Sequence, residues 1–346
     1  MSIYVINPLS DDRWIDLVDR HPSASVFHHR GFLQALLYTY GYEPFALTCT
    51  PPGQPLKDGI VLCRVSSWIT GRRLVSLPFA DHCEPLLDNT SETMALAKYL
   101  ADEYKRQHCK YLELRLLSLH NGFRAQLSDA HSYLFHLLDI SPGLEHIFRG
   151  FHKTSVQQRI RRAEKEGVSY ECGCSERLVE EFYGLLLKTR RRHQMFPQPR
   201  AWFKNLLTCL GSRVEIRVAR KDGAAVAAIF TLRHRQSVVY KYGCSDEKFH
   251  KLGGIPFLLW KLIEESKVSG AERLDFGRSD PDNEGLISFK DRFGAIKTSL
   301  TYIRYPRCKE EMAGSSWGVR AVRRIFGVMP DTISPIAGRF LYRHIG

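Results

Sequence analysis

The chain has no run of about 18 apolar residues, and its first stretch, MSIYVINPLSDDRW, lacks a basic segment followed by an apolar one. These absences predict that it neither crosses a membrane nor carries a secretory leader, and place it in the cytoplasm. Its nine cysteines are odd in number and scattered, with only Cys172 and Cys174 close together. There is no C-x-x-C pair and no histidine at zinc-finger spacing, so reduced thiols and no metal are expected. No Ser-His-Asp arrangement on a nucleophile elbow is visible. The histidines are weak signals: His28 and His29 precede a helix and fit its capping, and His193 ends a basic helix where its charge suits the macrodipole. Trp202, Phe203 and Trp260 sit at helical spacing among aliphatics, as core residues do.

What is present is an ordinary globular balance, 44% hydrophobic and 25% charged, in 346 residues, enough for two domains. Lys and Arg number 50 against 37 Asp and Glu, a net charge of +13. That excess favours polyanionic partners such as nucleic acid, phosphorylated metabolites or anionic lipid. Along the chain, SIYVI predicts a strand, and Ser10 is placed to cap a helix in which Trp14, Leu17 and Val18 share a face. A second helix, three extended segments, the helix SETMALAKYLADEYKRQH and the strand KYLELRLL follow. After residue 150 the order returns: two helices, strands RVEIRVARK and AAVAAIFTLRHR joined across Asp222-Gly223, a third strand, a helix closed by Gly270, and the strand ERLDFG. The expectation is an α+β (mixed α/β) duplication, with domains at 1–140 and 150–308 and a helical, basic tail at 315–346.

Three stretches carry charge or glycine in patterns suited to chemistry. In HKTSVQQRIRRAEKEG, Ser155 and Gln158 stand at capping-box spacing, and Lys153, Arg159, Arg161, Arg162 and Lys165 cover the surface. That face is either solvated or a dock for phosphates, with Lys153 beside a helix N-terminus that also suits an anion. In HKLGGIPFLLWKLI, Gly253 and Gly254 open a helix after a strand, with His250 and Lys251 just before them, an arrangement that presents backbone N–H groups to phosphate. In LDFGRSDPDNEGLISFKDRFG, Gly277 allows a sharp exit from a buried strand, and Leu286, Phe289 and Phe293 line one face of the next helix. Lys290 is then expected one residue off that stripe, either at a cleft wall or paired on the surface with Glu284 or Asp291. Asp275 is a candidate base or orienting group, or structural; Arg278 is a candidate phosphate or carboxylate ligand.

These stretches, with HPSASVFHHRGFLQAL and RRLVSLPFADHCEPLL, resemble the Fem family, tandem GNAT-fold enzymes that transfer amino acids from aminoacyl-tRNA to peptidoglycan precursors. The sequence is most similar to a Fem-like branch with a BioF2-like acetyltransferase domain, associated with PEP-CTERM and exopolysaccharide systems. The resemblance runs to about residue 306. It implies two tandem GNAT-like domains, the second carrying most of the cleft. It further implies direct acyl transfer to an amine on a small-molecule or lipid-linked cell-envelope precursor, without a tightly bound cofactor and with no metal. The family's Phe-Lys pair falls on Phe289 and Lys290, the lysine beside the reacting carbonyl. The glycine loop is similar to the R/Q-x-x-G-x-G/A loop that holds the CoA pyrophosphate in GNAT enzymes, with His250 replacing Arg or Gln and Ile255 replacing the last small residue. The long helical hairpin that some Fem members use for tRNA is missing, which leaves the donor open between aminoacyl-tRNA and acyl-CoA. A non-catalytic scaffold of the same fold and a tRNA or other nucleic-acid binder are the competing classes. The tail, with Val319, Val322, Phe326 and Met329 opposite Arg320, Arg323 and Arg324, fits either an interfacial helix on anionic membrane or a helix packed on its own domain.

Overall fold

The structure is a computed structural model that describes residues 2–87, 90–118, 121–124, 127–306 and 334–345. The chain falls into two compact units, one built mainly from Met1–Leu134 and the other from Phe135–Thr298.

The first unit begins with β1 (Tyr4–Ile6) and α1 (Asp12–Arg20). The cap of α1 is Asp11 rather than the expected Ser10: its carboxylate accepts from Arg13 N at 3.1 Å, and Trp14, Leu17 and Val18 are buried as their spacing requires. Next comes α2 (Arg30–Tyr40), capped by the His29 ring and stopped by Gly41 in the left-handed region. Then follow β2 (Glu43–Thr48), β3 (Ile60–Ser67), β4 (Gly71–Val75), α3 (Thr90–Arg106), β5 (Tyr111–Leu116) and a short α4 (Asn121–Arg124). β1 through β4 pair antiparallel, and β4 and β5 pair parallel with α3 as their crossover. The far side of β5 is taken by the last strand, β12 (Ile296–Tyr305), antiparallel, with Thr301 to Tyr305 opposite Leu116 to Leu112. Phe45, Leu62, Leu74, Leu100, Leu112 and Leu114 fill the core beneath α3.

The second unit repeats that plan. β6 (Ser128–Asp139) leads through α5 (Leu144–Gly150), α6 (Gln158–Lys165) and β7 (Ser169–Gly173) to α7 (Glu176–Arg192) and α8 (Arg200–Leu210). β8 (Val214–Lys221) and β9 (Ala224–His234) form a hairpin whose turn residues Asp222 and Gly223 have φ of 51° and 80°, the two positive values that a type I′ turn demands. β10 (Ser237–Ser245), α9 (Gly254–Val268) and β11 (Arg273–Ser279) make the parallel pair and its crossover, and α10 (Glu284–Asp291) follows. Its strands run in the order β6, β11, β10, β9, β8, β7. Both units thus pair antiparallel strands and end in a parallel pair bridged by a long helix, the duplication that the sequence order predicts. The division at 140 and 150 does not match the sheets: β6 from Phe135 belongs to the second unit and β12 from Ser299 to the first.

Of the tail, Val319 to Met329 lie outside the described residues. The final helix, α11 (Ser334–Ile345), ends on the first unit, where Tyr42 Oη donates to Tyr342 O at 2.6 Å. No described helix is long and apolar enough to cross a membrane.

Candidate functional site

The parallel ladder of the second unit joins Ser237–Val239 to Arg273–Asp275 and goes no further, although both strands run on. β10 then bulges between Tyr240 and Tyr242. Its later residues, with the start of α9, the first residues of the α6 segment, the end of α7 and one side of α10, enclose a cavity of about 340 Å³. Two glycines allow the close packing at one part of its lining. Gly253 has φ +75°, and a Cβ there would sit 2.6 Å from Arg159 O; one on Gly254 would sit 2.7 Å from the Ala227 Cβ. Only this pair lets the helix start nest between α6 and β9. No side chain caps α9, and Pro256 has no N–H, so the N–H groups of Gly254 and Ile255 open on the cavity where the helix dipole favours an anion.

Basic side chains join them. The cations Arg159, Arg192 and Arg292 line the cavity, as do the rings of His193 and His250. Arg192 Nη1 lies 3.1 Å from His250 Nε2, which also stands 2.9 Å from Ser245 Oγ. Burial, then the neighbouring Arg192, push the His250 pKa below its ordinary value. Burial and the charges of Arg192, Arg190 and His250 do the same to His193. Both rings are therefore neutral at neutral pH, and His250 can accept from Arg192 and hold it against Ser245. Much of the remaining lining is apolar: Val156, Val226, Phe249, Ile255, Leu286 and Phe289. An anion at one end and a thin apolar arm along the wall fit this shape.

The cavity also holds Cys244, but its thiol is 3.5 Å from Phe182 O and 3.6 Å from Ala228 O. Burial pushes its pKa well up, so it offers no thiolate nucleophile.

Of the residues singled out in the sequence, the structure gathers Arg159, His250, Gly253, Gly254 and Phe289 around this cavity. Lys153, Arg162 and Lys251 are exposed and outside its lining. The expected Ser155–Gln158 cap gives way to the His152 ring, which accepts from Ser155 N at 3.3 Å, because the chain enters α6 through a π-turn at Lys153–Gln157. Asp275 is 5% exposed and accepts from Gly277 N at 2.6 Å. It fixes the strand exit and is not among the residues that line the cavity. Arg278 is half-buried, and its carbonyl is a ligand of Lys290.

Lys290 departs furthest from expectation. It is 2% exposed, neither at a cleft wall nor paired on the surface, and Nζ donates to Gly277 O at 2.9 Å and Arg278 O at 2.8 Å. α10 lies against the end of β11, so the flank beside the apolar stripe faces inward. Gly277, at φ +69°, turns the strand so that successive carbonyls meet the ammonium. Arg192, His193, Ser245 and Arg292 were missed as site residues. The run TRRRH at the end of α7 was the signal for the first two, but only the topology shows that this helix ends beside the glycine loop; Ser245 at the end of β10 and Arg292 after α10 carry no such local signal.

Residues 150–290 match the family model described as an acetyltransferase (GNAT) domain. Among solved structures, FemX superposes with a TM-score of 0.70 at 12% identity, covering 87% of this chain and 97% of that one. The C-terminal domain of a putative lysylphosphatidylglycerol synthetase from Agrobacterium fabrum gives a TM-score of 0.56 at 15% identity, over 85% of this chain and 90% of its own. A tandem GNAT protein from the clavulanic acid biosynthesis pathway gives 0.54 at 11% identity, over 88% and 98%. No curated protein matches by sequence. The chain therefore has the tandem GNAT fold, as the sequence resemblance implied.

Proposed function

We propose that the chain is an acyltransferase of the GNAT type that passes an acyl or aminoacyl group from a phosphate-bearing donor to an amine. The observation that carries this reading is the uncapped N-terminus of α9 set between Arg159, Arg192 and His250 at one end of an apolar cavity. Acyl-CoA fits that combination: a pyrophosphate for the N–H groups and arginines, a pantetheine arm for the wall. In the chemistry we favour, the acceptor nitrogen attacks the thioester carbonyl, a tetrahedral oxyanion forms, and its collapse breaks the C–S bond, the amine's proton passing to the leaving thiolate through solvent. Without a thiolate at Cys244, transfer is direct. Phe289 walls the reacting end, and Lys290, behind it, holds the β11 exit that shapes this wall.

The exposed cations Arg161, Arg162 and Lys165 on α6, and Lys153 in the turn before it, support a second donor, aminoacyl-tRNA, whose backbone would extend beyond the cavity. The sequence resemblance supports an envelope precursor, peptidoglycan-like, as acceptor, and the likeness to the putative lysylphosphatidylglycerol synthetase domain supports a lipid-linked one. The PEP-CTERM and exopolysaccharide setting and cytoplasmic location rest on the sequence resemblance and composition, as does the competing role of a non-catalytic scaffold.

The test is incubation with acyl-CoA or charged tRNA and a panel of amines, with transfer followed by mass spectrometry. Arg159→Ala and Arg192→Ala are expected to weaken donor binding about tenfold or more each, the loss of a charged hydrogen bond, with little change in melting temperature. Transfer from neither donor class, with donor binding intact, would favour the scaffold.

A further inference from the structure

We propose that the tip of the β3–β4 hairpin and the last turns of α11 form a docking surface for an anionic lipid bilayer. The surface lies wholly in the first unit and stands whether or not the cavity in the second is catalytic. The hairpin tip is held rigid by Ser67, whose Oγ accepts from Ile69 N at 3.1 Å and Thr70 N at 2.9 Å. That turn throws Trp68 and Ile69 outward, 82% and 52% exposed. α11 is fastened to the same tip: His344 Nδ1 lies 2.9 Å from Ser67 Oγ, and His344 O accepts from Thr70 Oγ1 at 2.7 Å and Arg73 Nη2 at 2.6 Å. One turn back, Phe340 is 54% exposed, its ring centre 6.3 Å from that of Trp68. Three large apolar side chains are thus fixed side by side and left in water, which a soluble surface rarely does without a use for it.

The charge around them selects the occupant. Arg72, Lys110 and Arg343 are exposed, and Lys110 N donates to Arg72 O at 2.6 Å, which sets these two beside each other at the base of the tip. None of the three has an ion-pair partner among the described residues. The segments Ser66–Arg73 and Phe340–Gly346 contain no acidic residue. A tryptophan, an isoleucine and a phenylalanine on a projecting tip with cations behind them match the depth profile of a bilayer interface: rings among the acyl and glycerol groups, cations among phosphates. A protein partner would call for a broader patch, about 800 Å² per side, with charges of both signs.

The full chain is to be sedimented with vesicles of phosphatidylcholine alone and of phosphatidylcholine with about 30% phosphatidylglycerol, at low and high salt. The wild type is expected to bind the anionic vesicles about tenfold better or more, with the advantage lost at high salt. Trp68→Ser combined with Phe340→Ser should cut that binding about tenfold or more, and Arg72→Gln and Arg343→Gln about fivefold each, the share of one interfacial cation. All four side chains are exposed, so melting temperatures should hold. If the serine pair lowers the melting temperature, the two arginine variants decide. Three results would overturn the proposal: no binding of the wild type to anionic vesicles, variants that bind as well as the wild type, or a patch whose removal dissolves a dimer in sedimentation velocity instead of releasing the protein from vesicles.

Discussion

Lys290, which the sequence resemblance puts beside the reacting carbonyl, lies behind the surface in the structure. Its ammonium is buried against the carbonyls of Gly277 and Arg278, and it lies close enough to the fully buried His136 to disfavour that ring's charged form. Burial comes first in lowering the His136 pKa and Lys290 second, while Asp291, 3.4 Å from Nε2, opposes both. Lys290→Ala leaves two buried carbonyls without their donor, at about 1–3 kcal/mol, and removes the cation facing His136. We expect a lower melting temperature, a lower rate of transfer and a higher His136 pKa, read from the imidazole protons by NMR. Lys290→Arg, which keeps the charge, should retain part of the rate and leave the His136 pKa low. A melting curve unchanged in the alanine variant would remove the positioning role.

At the scale of elements, the two parallel pairs are built alike and finished differently. Beyond β10 and β11 the second unit has a cavity; beyond β4 and β5 the first unit has Arg115. Its guanidinium donates to Leu77 O at 3.2 Å, Ala80 O at 2.9 Å and Glu113 Oε1 at 3.1 Å, and Leu77 and Phe79 accept positive φ to bring those carbonyls round. Burial alone would raise the Glu113 carboxyl, but Arg115 and Arg304 override it and hold its pKa below the ordinary 4.5. A carboxylate with a depressed folded pKa stabilises fully above its unfolded value, and the contribution is lost as pH falls from there through the folded one. Acid unfolding should therefore steepen below about pH 5. Glu113→Gln should flatten that dependence and cost about 3–5 kcal/mol at neutral pH, two guanidiniums having lost their anion. Urea titrations at pH values on both sides of that point would show it; an unaltered acid limb would refute it.

Elements of this kind were unequally legible in the sequence. The Asp222-Gly223 hairpin, the close of α9 at Gly270 and the glycine loop follow from local chemistry, and so they were readable without neighbours. β6, β7, β12, α5 and α8 were not predicted: β7 is short and at a sheet edge, and β6 and β12 earn their strand pairing only from partners distant in the chain. The candidate site was half legible for the same reason. Gly253, Gly254 and Arg159 declare themselves by spacing and Phe289 through the family resemblance, whereas the burial of Lys290 and the arrival of Arg192 beside His250 depend on which strand and helix ends meet.

The whole molecule makes that dependence testable, because composition and sheet disagree about where the first unit ends. A chain stopped at residue 140, where the sequence pattern changes, keeps β5 but loses β12 and the five facing residues Thr301 to Tyr305. With them go the Tyr302 hydroxyl that donates to Asp81 O at 2.8 Å, the Arg304 pair with Glu113 at 2.7 Å, and Ile303 from the core beneath α3. β5 becomes an open edge of largely buried residues, a template for association with other copies. Such a chain is expected to be poorly soluble and to lack a cooperative melting transition. Supplying Ser299–Pro306 through a flexible linker after residue 140 should restore antiparallel pairing with β5 and a sharp transition, since loop closure costs only a slowly growing entropy. Circular dichroism melts of the two forms decide the matter. A cooperative transition in the chain ending at 140, as sharp as in the form that carries the strand, would show that β12 is dispensable to the unit in which it lies.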